Sequence, residues 1–278
     1  MGTVSDMKFG IATFITDEGI GPGPLGAAVE ERGFNSLVVP EHSHIPVAHG
    51  VGELPRAYHR TLDPFVALSS AAAVTRDLVL ATGIVLLPQR DVIYTAKEVA
   101  SLDLVSNGRV SLGVGVGGWN REEMRNHGTD LATRGAKMNE QLAALKQIWT
   151  QEQAEFHGKF IDFDPIFAWP KPVQRPHPPI YIGGESRAAL ERLRTLGTGW
   201  LPQAATPPEL LRRVRQWLAD NGRTNVPFMI WGAGRDKAAL AGYAEAGVDE
   251  VTFLLPTQPE PETLRDLDEL AALVNTLS

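Results

Sequence analysis

The stretch LVLATGIVLLPQRDVIYTAKEVASLDLVSNGRVSLGVGVGG, residues 78–118, sets two apolar runs on either side of a helix-like segment. Leu78 to Leu87 and Arg109 to Val116 read as continuous apolar runs more than as strict alternation, the pattern of strands covered by helices. Between them, YTAKEVASLDLVS spaces its apolar residues at helical intervals. Strand, helix and strand in that order make a βαβ unit with parallel strands.

The same rhythm extends outward from this unit. Upstream, Lys8 to Phe14 precedes the helix-like LGAAVEERG. Ser36 to Pro40 then leads through a polar, histidine-bearing loop to DPFVALSSAAAVT. Asp63 is the predicted N-cap of that helix, with Pro64 in the first-turn position proline prefers. Downstream comes the helical MNEQLAALKQIW. Glu155 to Pro179, rich in Phe, Asp and Pro, breaks the rhythm and is predicted to be an excursion of hairpin and loop. Strands are then predicted at Ile180–Ile182, Gly199–Leu201, Pro227–Trp231 and Glu250–Leu255, each followed by an amphipathic segment. A doubly wound open sheet shares this alternation, but about eight βα units is the number that closes a TIM barrel. The predicted fold is one α/β domain over residues 1–278, a TIM (β/α)8 barrel with an irregular insertion before its fifth strand.

Composition removes several classes of function. A formal net charge of −7 and a pI near 5.5 argue against a dedicated nucleic-acid or membrane-surface protein, which would need a basic face. The absence of cysteine excludes disulfides, thiolate metal sites, iron–sulfur clusters and cysteine nucleophiles. MGTVSDMKFG lacks the basic stretch and apolar run of a signal peptide, and no apolar run approaches the roughly 18 residues of a membrane span. The expectation is a soluble cytoplasmic enzyme.

In a barrel, function sits on the loops that follow the strands. The second strand ends in ValProGluHisSerHis, which places Glu41, His42 and His44 at the mouth as catalytic candidates. A histidine there can move a proton near neutral pH, though a structural histidine bonded to neighbouring backbone fits the same sequence. No third ligand set appears at a telling spacing, so no metal site is predicted. The fourth strand ends in glycines, with Gly113, Gly115 and Gly118 matching G-x-G-x-x-G. A dinucleotide fold would carry this motif in its first βαβ unit with an acidic residue about 20 positions on. Glu140 lies near that distance, but the motif is in mid-chain, so the dinucleotide reading is set aside. The fifth strand ends in GlyGlyGluSerArg. There Gly183, Gly184, a capping Ser186 and Arg187 offer N–H groups, a helix dipole and a cation to a phosphate; an ordinary serine-capped connection is the plain alternative.

Taken in order, GFNSLVVPEH (33–42), LATGIVLLP (80–88), GRVSLGVGVGGWN (108–120) and PIYIGGES (179–186) resemble the luciferase-like monooxygenase superfamily, and within it the coenzyme F420-dependent oxidoreductase branch. The resemblance covers almost the whole chain. It implies a TIM barrel with an insertion near strand five and a strand-three bulge with a non-proline cis peptide, matched here by Gly83–Ile84. It implies Glu41 and His42 at the ring of the cofactor, with His42 assisting proton movement. Gly117, Gly118, Trp119 and Asn120 would border the ring and side chain, and Gly183, Gly184 and Ser186 would meet the phosphate. The resemblance implies hydride transfer between a deazaflavin and a small organic substrate that the sequence does not name, in a homodimer.

The chain departs from the family's sugar-phosphate dehydrogenases. Those carry an acidic residue just after the strand-four glycines, where this chain has Gly118 and Trp119, with Glu122 and Glu123 further on. Glucose-6-phosphate-type activity is therefore not expected. Two rivals accompany the F420 reading: an FMN-dependent monooxygenase, whose cofactor shares the ring, ribityl chain and phosphate, and a cofactor-free binding barrel. Arg121, Arg90 and Lys97 are the candidate cations for a deazaflavin tail; a third possibility, set below these, is a metal-dependent hydrolase that would use His42 and His44 as ligands.

Overall fold

The computed structural model describes residues 3–47, 53–118 and 120–277. Its barrel strands are β1 (Lys8–Ala12), β2 (Ser36–Val39), β3 (Val79–Thr82), β4 (Val85–Leu86) and β5 (Val110–Gly115), followed after an interruption by others. The interruption is the hairpin β6 (Gln153–His157) and β7 (Asp162–Phe167); the barrel resumes with β8 (Ile180–Gly183), β9 (Gly199–Leu201), β10 (Met229–Ala233) and β11 (Glu250–Leu254). The parallel order is β10-β11-β1-β2-β3-β5-β8-β9, with β4 also on β5. Parallel bridges Trp200–Phe228 and Gln203–Trp231 join β9 to β10 and close the ring.

Eight helices follow the eight strand positions: α1 (Pro22–Glu31), α3 (Pro64–Ala72), α4 (Val92–Val105), α6 (Arg134–Thr150), α7 (Arg187–Thr195), α8 (Pro208–Asp220), α9 (Lys237–Glu245) and α10 (Glu260–Asn275). Two short helices, α2 (Ala57–Arg60) and α5 (Arg121–Asn126), lie in loops at the C-terminal ends of the strands. Asp63 caps α3 as its sequence predicts, accepting the Phe65 and Val66 amides. The larger apolar core lies between strands and helices. A smaller one fills the barrel with Ala12, Val38, Ala81, Leu201 and Met229.

The excursion at 155–179 contains the antiparallel β6–β7 pair, which begins slightly earlier, at Gln153. Glu140, the acidic residue a dinucleotide motif would have used, holds this hairpin: its carboxylate accepts the amides of Lys159, Phe160 and Ile161 at 3.1, 2.6 and 3.0 Å. Among the described residues no helix is long and apolar enough to cross a membrane.

Candidate active site at the barrel mouth

The third barrel strand does not run straight through. β3 pairs with β5 at Ala81–Ser111, and β4 resumes the pairing at Val85–Val114, four residues on one strand against three on the other. The extra residue makes a bulge, and the Gly83–Ile84 peptide within it is cis. The bulge presses against the strand-four glycines. A Cβ at Gly113 would lie 2.0 Å from the Thr82 carbonyl oxygen, and one at Gly115 would lie 1.9 Å from Ile84 Cδ1. Two glycines of the G-x-G-x-x-G match therefore make room for the bulge instead of cradling a phosphate.

Above the bulge opens a cavity of about 310 Å³. Gly83 and Ile84 lie at its base; Phe14, Tyr58 and Trp231 form an aromatic side; His42, Asn120 and Glu123 form a polar one. Phe14 packs on Tyr58 with ring centroids 4.4 Å apart and planes tilted by 32°, and meets Trp231 edge-on at 6.4 Å. Trp231 Nε1 is buried without a hydrogen-bond acceptor among the described residues. A buried donor left unpaired is costly, so this atom is suited to an acceptor on a bound molecule.

The polar side is built from two distant segments. β2 delivers His42 from its C-terminal end, and α5 delivers Glu123 from its first turn. Asn120 caps α5 by accepting the Glu123 amide at 3.2 Å and donates Nδ2 back to Glu123 Oε2 at 2.9 Å. His42 Nδ1 lies 2.8 Å from Glu123 Oε2, and the Ser43 amide donates to Glu123 Oε1 at 2.9 Å. Burial pushes the Glu123 carboxyl up, but the bonds from His42 and Ser43 and the histidine's charge outweigh it. Its pKa lies below the ordinary carboxylate value.

Glu41 is placed differently. Its carboxylate accepts the Leu86 amide at 2.6 Å and the Arg90 guanidinium at 2.6–2.7 Å, while Arg90 also pairs with Asp63 and Glu98. Glu41 thus borders the cavity but spends its oxygens fixing β4 next to the bulge. The tail-cation assignment of Arg90 does not survive this network, in which its side chain is 13% exposed. Lys97 is likewise engaged on the outside of the barrel, donating to the Trp169 carbonyl.

Of the other sequence candidates, Gly117, Gly118, Gly183 and Gly184 line the cavity with Asn120. His44 does not line it; its ring bonds Ser43 Oγ and Asn126 Nδ2 at 2.9 and 2.8 Å. Ser186 sits at the start of α7, where Oγ accepts the Ala189 amide at 3.2 Å. Trp119 lies outside the described residues. The sequence reading missed the aromatic side and the role of Glu123. Asn120-x-x-Glu123 is legible as a helix-capping pattern, but no local signal ties Glu123 to a histidine 81 residues earlier.

A sequence profile for luciferase-like monooxygenases matches residues 24–249. This chain belongs to that family. Membership makes it an enzyme of the oxidoreductase type, with the family's TIM barrel. It is 38% identical over 280 residues to the uncharacterized protein Rv0953c of Mycobacterium tuberculosis (strain ATCC 25618 / H37Rv), covering 96% of this chain and 98% of that one. It is 33% identical over 183 residues to the FMNH(2)-dependent dimethylsulfone monooxygenase of Pseudomonas putida, covering 64% of this chain and 44% of that enzyme. Its fold superposes on an F420-dependent secondary alcohol dehydrogenase in complex with an F420-acetone adduct, with a TM-score of 0.76 at 15% identity, over 98% of this chain and all of that one (100%).

Proposed function

We propose that this chain is a hydride-transferring oxidoreductase that uses a deazaflavin, coenzyme F420, and acts on a small organic molecule. The observation that carries the reading is the His42–Glu123 pair set in the wall of a cavity floored by Gly83 and Ile84. Hydride transfer to or from a carbon bearing oxygen or nitrogen leaves a proton to be taken up or supplied. A histidine oriented by a buried carboxylate does that work near neutral pH.

The residues present fit a flavin-type ring. Trp231 Nε1 offers an unpaired buried donor beside Gly83, where a Cβ would come within 3.0 Å of it. Gly117, Gly118 and Gly183 leave backbone, not side chains, along the slot. Gly184 and the start of α7 would meet the phosphate, with Ser186 holding the helix end. When bound, the deazaflavin would supply the carbon that accepts or donates the hydride. The chain's own residues do the rest. Trp231 and the bulge orient the ring, Phe14 and Tyr58 exclude water from one side, and Glu41 keeps the bulge in place through Leu86. His42, held through Nδ1 by Glu123, would exchange a proton with the reactant.

The second reading, an FMN-dependent monooxygenase, is favoured by the 33% identity to the dimethylsulfone enzyme. Fluorescence titration of the purified protein with oxidised F420 and with FMN decides between them. Micromolar or tighter F420 binding with FMN much weaker is the expected result, and the reverse preference gives the protein to the monooxygenases. Trp231→Phe should weaken binding of the preferred cofactor several-fold, about 1 kcal/mol for one hydrogen bond. Binding of neither sinks both readings.

A further inference from the structure

Behind the His42–Glu123 pair, a chain of polar atoms continues to the surface. Ser43 Oγ lies 3.3 Å from Glu123 Oε1 and 2.7 Å from Nε2 of His127, a residue on the solvent side of α5. The same hydroxyl lies 2.9 Å from His44 Nδ1, and His44 Nε2 is held by Asn126. A second cavity, of about 390 Å³, opens on Ser43, Gln89 and His127, and shares Glu41 and His42 with the first. Those two residues form the partition between the reaction cavity and a chamber that borders the exposed histidine.

We propose that Glu123, Ser43 and His127 form a proton path between His42 and solvent, with Ser43 as its switching hydroxyl and His44 as its positioning partner. The inference rests on the reading of His42 as the proton-moving group. Outward, the Nδ1 proton of a doubly protonated His42 passes to Glu123 Oε2, and a half-turn of the carboxyl group brings it to Oε1. From there it passes to Ser43 Oγ as the hydroxyl's own proton moves to His127 Nε2. The net result is one proton fewer on His42 and one more on His127, with Glu123 and Ser43 unchanged; inward transfer is the reverse. No oxidant or reductant takes part.

The charges around the path leave it intact. Glu41 is held by Arg90, which Asp63 and Glu98 also engage; Glu122 is paired with Arg125 on α5, and Arg121 faces solvent. Tyr58, from α2, sets its ring 5.4 Å from that of His42. Among the described residues, the carboxylate in contact with Ser43 is Glu123, whose lowered pKa keeps it charged and ready to accept at neutral pH. A carboxylate placed between two histidines and joined to one of them through a hydroxyl would serve no purpose in packing alone, since Ser43 is exposed and buries no apolar surface.

The test needs no substrate. In the whole protein labelled with 15N-histidine, the exchange of the His42 Nδ1 proton with water is followed by NMR, with His42→Asn used to assign the signal. The path predicts that Ser43→Ala and His127→Asn each slow this exchange about tenfold or more, in line with the size of general acid–base effects. Ser43→Thr, which keeps the hydroxyl, should restore it, and added imidazole should accelerate exchange in Ser43→Ala more than in the wild type. Persistence of the Nδ1 signal and of the thermal transition shows that the His42–Glu123 bond and the fold are retained, and His127→Asn stands in should Ser43→Ala fail to fold. Unchanged exchange in the folded variants overturns the path. The outcome is separate from cofactor choice: loss of F420 binding would sink the functional reading and leave this measurement standing, while unchanged exchange would sink the path even in a protein that binds F420.

Discussion

Glu123 at the mouth of the barrel and Glu250 at its floor are both buried, 0% and 7% exposed, yet their carboxyls are pushed in opposite directions. Glu123 accepts from His42, the Ser43 amide and Asn120, and its charged form is favoured. Glu250, at the start of β11, accepts from Ser36 Oγ at 2.5 Å. There burial prevails over Ser36, Asn35 and the charge of Lys8, so its pKa is raised. Burial also raises the nearby Tyr181 phenol, and the Glu250 charge adds to that. Burial alone does not decide the charge of a carboxyl; the number and charge of its donors do. The mouth holds a charge in readiness, whereas the floor buries a polar group as part of the packing.

The largest expected effect separates the two glutamates by function. Glu123→Gln should lower turnover about 100-fold or more, because the amide cannot take a proton from His42. Glu250→Gln should leave turnover within a factor of about two, as steady-state rates on the first substrate identified will show. Equal losses would erase the distinction between the ends.

A second pair of substitutions sharpens it at the backbone. Gly115→Ala places a methyl against Ile84 and should weaken cofactor binding about tenfold in the fluorescence titration. Gly10→Ala at the floor, where a Cβ would lie 2.1 Å from Ser36 Oγ, should leave binding intact. It should destabilise the protein by about 1–3 kcal/mol in urea unfolding, the usual cost of overpacking.

The pH dependence carries opposite signs. Glu250 has a raised folded pKa, so ionising it is harder in the native state. Stability is lost as pH rises from the unfolded carboxylate value through the folded one, and above that the loss is constant. Glu250→Gln should therefore raise stability at pH 7 by about 1 kcal/mol, with the gain vanishing near pH 4 in thermal melts. Glu123 has a lowered folded pKa, and its contribution is lost as pH falls through that value. A gain from Glu250→Gln that persists at pH 4 would remove burial as the cause. The smallest expected effect belongs to His44→Asn, which leaves the cavity lining intact and should change cofactor affinity by less than about twofold.

Much of the scaffold was legible because its signals are local. The apolar runs, the Asp63–Pro64 helix start and the Phe/Asp/Pro-rich excursion each depend on neighbours in sequence. The strand-end candidates Glu41, His42 and Gly183 follow from a rule of barrels, Gly83 and Gly117 from the family resemblance, and all of them border the cavity. The functions of the glycines and charges were less legible. Gly113 and Gly115 match a dinucleotide motif that the chain order discounts, and they serve the bulge; Arg90 reads as a surface cation but sits among three carboxylates. Tyr58 and Trp231 carry no signal that distinguishes them from ordinary core aromatics.

The sequence by itself determined a parallel barrel of eight βα units and which loops stand at its mouth, since periodicity, capping and order are written along the chain. Tertiary structure alone decided that Glu123 belongs to His42, that Glu41 belongs to Arg90, and that Ser43 joins His44 to His127, 83 positions on, because those pairings depend on where separate strand ends meet in space.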